Sequence, residues 1–419
     1  MATQDQGSTS GRGFSWLIAG LLLLVMFINY LDRQTLSVLA PYLPSGLKMS
    51  KVSYGETQSL FLLAYALAMP LAGWTVDRLG TRVGLAFTVG VWSLVEFLHG
   101  TATNVSTLRT YRFLLGIPEA GAWPALGKVA AEHAAPHARA TLIGIAMFGL
   151  GMGTTMTPIV VSWLTHNDPS RWNWVFYITG LAGFGWIVLW LIFYRPKPSA
   201  ALSTRLPEPR TPWIKLLADR QVLALMATRT FSDSMWWFYL YWIPPFLVSR
   251  LGFDLHHMGI VGWIPYFFAS IGSAVGGYAS GALIRRGWEP VQARKAIMWV
   301  CACVVPFTSF VGRATSEFTV ITLLAIATFF AQAFFANIFA LPADMFPHEK
   351  VASVVGLNVM TGSLAGSFTI WAAGHIVERF SYGPLFFLVA FFLPMGALCA
   401  QIVLRSPASV PRTMPVASS

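Results

Sequence analysis

The chain has 419 residues, 55% of them hydrophobic and only 11% charged, with a mean hydropathy of +0.60. A soluble domain carries about 25% charged residues, so the composition excludes one and points to a chain that crosses a membrane many times. The net charge of +11 would suit nucleic acid, but a basic excess in a membrane protein reads more simply as loop charge that sets orientation, and no nucleic-acid partner is expected.

In chain order, residues 1–13 are polar and show no cleavage site behind a short apolar core, so they read as a cytoplasmic tail. Runs of about 20 apolar residues, the length that crosses a bilayer of about 30 Å, then give twelve spans: 14–39, 54–76, 82–103, 107–130, 139–164, 172–194, 221–249, 258–284, 292–312, 317–343, 351–378 and 382–404. The basic, Pro-rich segment 195–220 separates two sets of six. The expected architecture is an all-α membrane protein, twelve transmembrane helices in two six-helix bundles: 14–194, a cytoplasmic linker over 195–220, then 221–405 and a second cytoplasmic tail over 406–419. With both termini cytoplasmic, eighteen Lys and Arg fall inside and seven outside, leaving Arg33, Arg112 and Arg229 within spans; the positive-inside rule favours that orientation. An internal repeat agrees: the connections over 73–84, after span 2, and over 277–296, after span 8, both place small residues and then basic ones before the next span. Two such halves imply a cavity between them near the midplane.

Charges inside spans cost about 2.5–3.5 kcal/mol each at a helix centre, so those kept there call for a reason. Span 1 holds Asp32 and Arg33, in FINYLDRQTLSVLA; span 4 holds Arg112 and Glu119, in RFLLGIPEAGAWPA. Burial and a nearby guanidinium pull a carboxyl in opposite directions, so Asp32 and Glu119 are candidates to bind and release a proton. Arg33 and Arg112 offer planar forks that fit a carboxylate. In span 7, Arg229 and Asp233 are spaced i, i+4, as in an intrahelical salt bridge. Trp236, Trp237, Tyr239 and Trp242 follow, of which Trp236 and Tyr239 are taken as sugar-stacking candidates. Pro244 and Pro245 are expected to break that helix near its outer end. Tyr65, Gln332, Asn337 and Asn358 are polar side chains in apolar runs, able to bond cargo or merely join helices; Glu96 is expected to pair with a donor. Asp77, with Arg78 and Arg139, is expected to hold the cytoplasmic side shut, Asp77 capping a helix start and pairing with Arg139.

The connection after span 2 resembles the signature loop of the major facilitator superfamily, Gly-x-x-x-Asp-Arg-x-Gly-x-Arg/Lys, through Gly73, Asp77, Arg78, Gly80 and Arg82. The second copy has Gly281 where that loop has Asp, so its lock is expected to be weaker or to pair differently. The segments NYLDRQTLS, RFLLGIPEAGAWPA, RTFSDSMWWFYLYWIPPFL and GGYASGALIRRGWEPVQARKA look like the anion:cation symporter family, span 7 being most similar to that of hexuronate transporters. The resemblance implies proton-coupled uptake of a small organic anion, a hexuronate or related sugar acid, by alternating access. It implies proton coupling at Asp32 and Glu119, substrate binding by Arg33, gating or proton control by Arg112, and cavity-facing Tyr65 and Asn358. The implied partners are the organic anion, protons and the lipid bilayer of the cytoplasmic membrane, with the chain working as a monomer.

Other classes fit less well. The eight His residues form no zinc-protease motif, and there is no phosphate-binding glycine loop or Ser-centred elbow, so no enzyme, cofactor or metal is expected. Cys301, Cys303 and Cys399 lie in apolar runs and read as packing residues. A proton-coupled exporter on the same fold is the alternative, but span 5 is Gly-rich and lacks the Gly-Pro dipeptide such exporters tend to carry.

Overall fold

The structure is a computed structural model that describes residues 15–135, 138–196 and 213–404. The two expected tails and most of the expected linker lie outside the described residues. Every regular element among the described residues is helical. The first half of the chain forms α1 (Trp16–Leu39), α2 (Lys51–His99), α3 (Val105–Glu119), α4 (Ala122–His133), α5 (Arg139–Thr165) and α6 (Trp172–Phe193). The second forms α7 (Arg220–Leu251), α8 (Leu255–Val261), α9 (Ile264–Arg285), α10 (Pro290–Val304), α11 (Glu317–Met345), α12 (His348–Phe380), α13 (Tyr382–Ala390) and α14 (Phe392–Val403).

Nine stretches among the described residues are long and apolar enough to cross a membrane. One of them, α2, is 49 residues long and covers two expected spans. It turns at Gly80, whose φ of 75° suits glycine, so the signature loop supplies the bend. Expected spans 4 (α3 with α4) and 7 (α7) are helical but fall short of that apolar measure; they carry Arg112 with Glu119 and Arg229 with Asp233. Outward-facing side chains are apolar: Val188, Ile192, Phe307, Phe318 and Ile402 are each more than half exposed, as lipid contact requires and water would penalise.

In the first half α1 lies along α5 and α6, and α2 along α3 and α6; in the second, α7 lies along α12 and α14, and α9 along α11. The α1–α5 pair shows how close these helices come: a Cβ at Gly149 or Gly153 would run into the carbonyls of Leu23 or Phe27, the small-residue contact that lets backbones touch in lipid. The halves meet along α2 with α12, α5 with α8 and α9, and α1 with α7. Hydrogen bonds across this seam gather at one end. Tyr42 donates to the carbonyl of Phe253 at 2.8 Å, the backbone N–H of Lys51 to Glu378 at 3.0 Å, and Ser367 to the carbonyl of Ser59 at 2.8 Å.

Two local features depart from the sequence reading. Pro244 and Pro245 do not interrupt α7, which runs on to Leu251. Lacking N–H groups, they leave the carbonyls of Leu240 and Tyr241 without helical donors. The Tyr266 hydroxyl donates to the first at 3.2 Å and the Tyr54 hydroxyl to the second at 2.5 Å, the latter across the seam. The break expected there occurs instead within span 4, where the helix stops at Glu119, just after Pro118, and restarts at Ala122.

Candidate functional site

Asp32, Arg33, Arg112 and Glu119 of spans 1 and 4 are buried, none more than 1% exposed, and only two of them meet side chain to side chain. Arg33 donates from Nε and Nη2 to Glu119 Oε2 at 3.0 and 2.7 Å, and from Nη2 to Asn29 Oδ1, one turn back on α1, at 3.3 Å. Its guanidinium carbon lies 4.5 Å from the ring centre of Tyr30, 4.9 Å from Tyr65, 5.2 Å from Phe61 and 5.5 Å from Trp237. Ring faces at such distances attract a cation. The pair therefore sits in an aromatic cage built by both halves of the chain.

Arg112 is employed otherwise. Its Nε donates to Gln58 Oε1 at 3.0 Å, Nη1 to the Asp32 carbonyl at 3.4 Å and Nη2 to the Arg33 carbonyl. The fork fastens α3 to the backbone of α1. Asp32 lies apart from the Arg33–Glu119 pair. Successive helix residues point about 100° apart; with Arg33 aimed at Glu119, the Asp32 carboxylate turns into the first half, beside Thr179 and Glu96. The partners of Glu96 are Thr179, whose hydroxyl lies 3.5 Å from Oε1, and His99, whose Nδ1 lies 3.8 Å from Oε2.

Across the seam, α7 carries a stripe at i+4 spacing, Arg229, Asp233, Trp237 and Tyr241, of which Trp237 meets Arg33 of α1. Arg229 pairs with Asp233 at 3.0 Å, nearly buried, and lies 4.5 Å from the ring centre of Phe335. Trp237 stacks on Tyr241 at 5.8 Å while covering Arg33. Asn358 of α12 is buried and shares a cavity of about 10 Å³ with Arg229. Trp236 is buried one position off the stripe. Tyr239 packs on Phe238 and Phe386, with ring centres 5.5 and 6.3 Å away, and the structure does not bring it to the cage. Asn337 joins helices, donating to the Gly276 carbonyl at 3.1 Å.

At the α2 bend, Asp77 Oδ1 lies 3.4 Å from Lys128 Nζ, Arg78 covers the Trp74 ring at 5.1 Å, and Arg139 donates to the carbonyls of Ala131 and Ala134, both at 3.3 Å. The second copy does pair differently: Arg294 takes Asp344 of α11 at 2.9 Å and Ser280 at 2.9 Å. Asn29, Tyr30 and Gln58 are not among the residues expected at the site, and Trp237, one of the span 7 aromatics, meets Arg33 where Trp236 is expected. Asn29 carried a signal, lying four residues before Arg33 on one helix face; Trp237 was one residue from the choice made, which on a helix is another face.

The family model of the Major Facilitator Superfamily matches residues 22–314. The hexuronate transporter of Escherichia coli is 27% identical, over 95% of this chain and 96% of that protein. The D-galactonate transporter of Escherichia coli is 24% identical over 91% and 94%, and a probable galactarate/D-glucarate transporter of the same species 27% over 93% and 94%. Among solved structures, a bacterial homolog of the human lysosomal transporter Spinster superposes with a TM-score of 0.71 at 17% identity, over 92% of this chain and 93% of that one. A D-xylose-proton symporter gives 0.71 at 17%, over 93% and 97%. The matched model covers well over half of a chain whose helices are apolar on the outside and charged at the seam, so the chain belongs to the Major Facilitator Superfamily, a family of membrane transporters and not of enzymes.

Proposed function

We propose that the protein is a proton-coupled symporter of a small organic anion, a hexuronate or related sugar acid, working by alternating access in the cytoplasmic membrane. The observation that carries this reading is the caged Arg33–Glu119 pair between the two halves. The names of the relatives support the cargo class.

The pair suggests how proton and anion are coupled. Glu119 occupies the fork of Arg33 at 2.7 and 3.0 Å, the place a cargo carboxylate needs. Breaking a buried ion pair by removing one partner costs about 3–5 kcal/mol, so protonating Glu119 alone is unfavourable, and so is bringing in an anion while Glu119 stays charged. Together they are compatible: the proton neutralises Glu119 and the cargo carboxylate takes its place at Arg33. Each ligand thus favours the other, as linkage requires. With both termini cytoplasmic, the end closed by Tyr42, Lys51, Tyr54 and Ser367 faces outward, so this state is shut on the outside. Opening that end admits anion and proton; closing it and opening the other delivers both.

Glu119→Gln tests the coupling in proteoliposomes. Accumulation of galacturonate or glucuronate driven by a pH gradient is expected to disappear, while exchange of labelled internal for external cargo persists. Full gradient-driven accumulation by this variant would refute the role of Glu119.

A further inference from the structure

The mechanism leaves unused a second buried ion pair, Arg229–Asp233 of α7, and three observations tie it to the cargo path. First, it lies on the α7 stripe one turn from Trp237, the ring that covers Arg33. Second, the site has open hydrogen-bonding capacity: Arg229 Nε and Asn358 Oδ1 are buried without partners, and both residues line the same cavity of about 10 Å³, with Ile338, Phe339 and Pro342. Third, space has been left for it. A Cβ at Gly362 would collide with the Asp233 carboxylate and one at Gly366 with the Trp237 ring. In the first half, Gly149 and Gly153 of α5 keep the same spacing of four but admit backbone. Here the glycines of α12 admit side chains.

Such a pair is neutral as a unit, with an acceptor and donors side by side. It suits a hydroxyl, which donates to Asp233 and accepts from Arg229, as it accepts or donates at the Asn358 amide. It does not suit a second carboxylate, which would meet Asp233 in a site shielded from water, where like charges repel strongly. Resting on the sugar-acid reading above, we propose that Arg229, Asp233 and Asn358 bind the hydroxyl-bearing end of the cargo opposite its carboxylate, and that Asp233 makes the transporter selective for acids with one carboxylate over sugar diacids.

The test is uptake into proteoliposomes under an imposed pH gradient, with galacturonate (one carboxylate) and galactarate (two) measured in parallel on the full chain. The wild type is expected to prefer galacturonate by at least tenfold in initial rate. Asp233→Asn, which frees Arg229 for a second carboxylate, is expected to shift that ratio toward galactarate by at least tenfold. Asn358→Asp, which adds a negative charge at the same end, is expected to shift it the other way and covers the case in which Asp233→Asn does not fold. A wild type that takes both acids equally, or ratios unchanged in the folded variants, overturns the selectivity role while leaving sugar-acid transport standing. A wild type that accumulates neither acid overturns both.

Discussion

Arg33 and Arg112 carry the same side chain and are equally buried, yet their bonds assign them different work. Arg33 gives its fork to one carboxylate oxygen inside an aromatic cage; Arg112 gives its own to Gln58 and to the α1 backbone. Arg33→Lys keeps the charge but not the fork, so the initial rate of sugar-acid uptake is expected to fall by at least about tenfold, roughly 1.4 kcal/mol. Arg112→Gln removes donors from buried acceptors, each worth about 1–3 kcal/mol when left unpaired. A lower thermal midpoint in detergent is therefore expected, with a KM for the cargo changed less than about twofold; a large KM change at an unchanged midpoint would return Arg112 to the binding site. The sequence identified the charged residues because charge is conspicuous in an apolar run. It could not tell which way each one faced. Asp32 and Arg33 differ by one residue and so by about 100°, and only the packing of α3 and α6 decides that Arg33 meets Glu119 while Asp32 meets Thr179.

The prolines of α7 show the same limit at the level of a helix. Pro244 and Pro245 were a sound signal of irregularity, since each removes an N–H from the ladder, but removal need not break a helix when the orphaned carbonyls find donors. Tyr266 and Tyr54 provide them, and because Tyr54 belongs to α2, the repair doubles as a closure between the halves. Tyr54→Phe removes that donor and, with this end facing outward as proposed, is expected to loosen it. A cysteine at Ser59, introduced with Cys301, Cys303 and Cys399 replaced, should then react several-fold faster with a membrane-impermeant thiol reagent added outside; an unchanged rate would mean that the Tyr54 bond does not hold the closed end. The break after Pro118 went unread because a proline inside a span predicts a kink more readily than its position, and Gly121, whose Cβ would collide with Thr88, allows the restart only in its tertiary setting.

For the whole molecule, much more was legible. The length and spacing of apolar runs located the helical stretches to within a few residues at most ends, though not where two expected spans join or one breaks, because a bilayer fixes span length and forbids unpaired backbone within it. The signature loop and Gly80 placed the bend in α2. What the pattern of runs could not contain is which helices meet across the seam, since apolar residues pack equally well on lipid and on each other. That is why the stripe Arg229–Asp233–Trp237–Tyr241 and its fit to Arg33 emerged only from the fold.

Coupling between proton and anion at Arg33–Glu119 is a statement about flux, and flux can be counted. Purified protein in sealed liposomes containing a trapped pH dye, given galacturonate outside with no imposed gradient and the membrane voltage clamped by an ionophore for potassium, should acidify the interior in step with sugar entry. The wild type should move protons and galacturonate together in a fixed ratio, and Glu119→Gln should move galacturonate, if at all, without acidification. Galacturonate entering the wild-type liposomes with no proton movement would contradict the coupling.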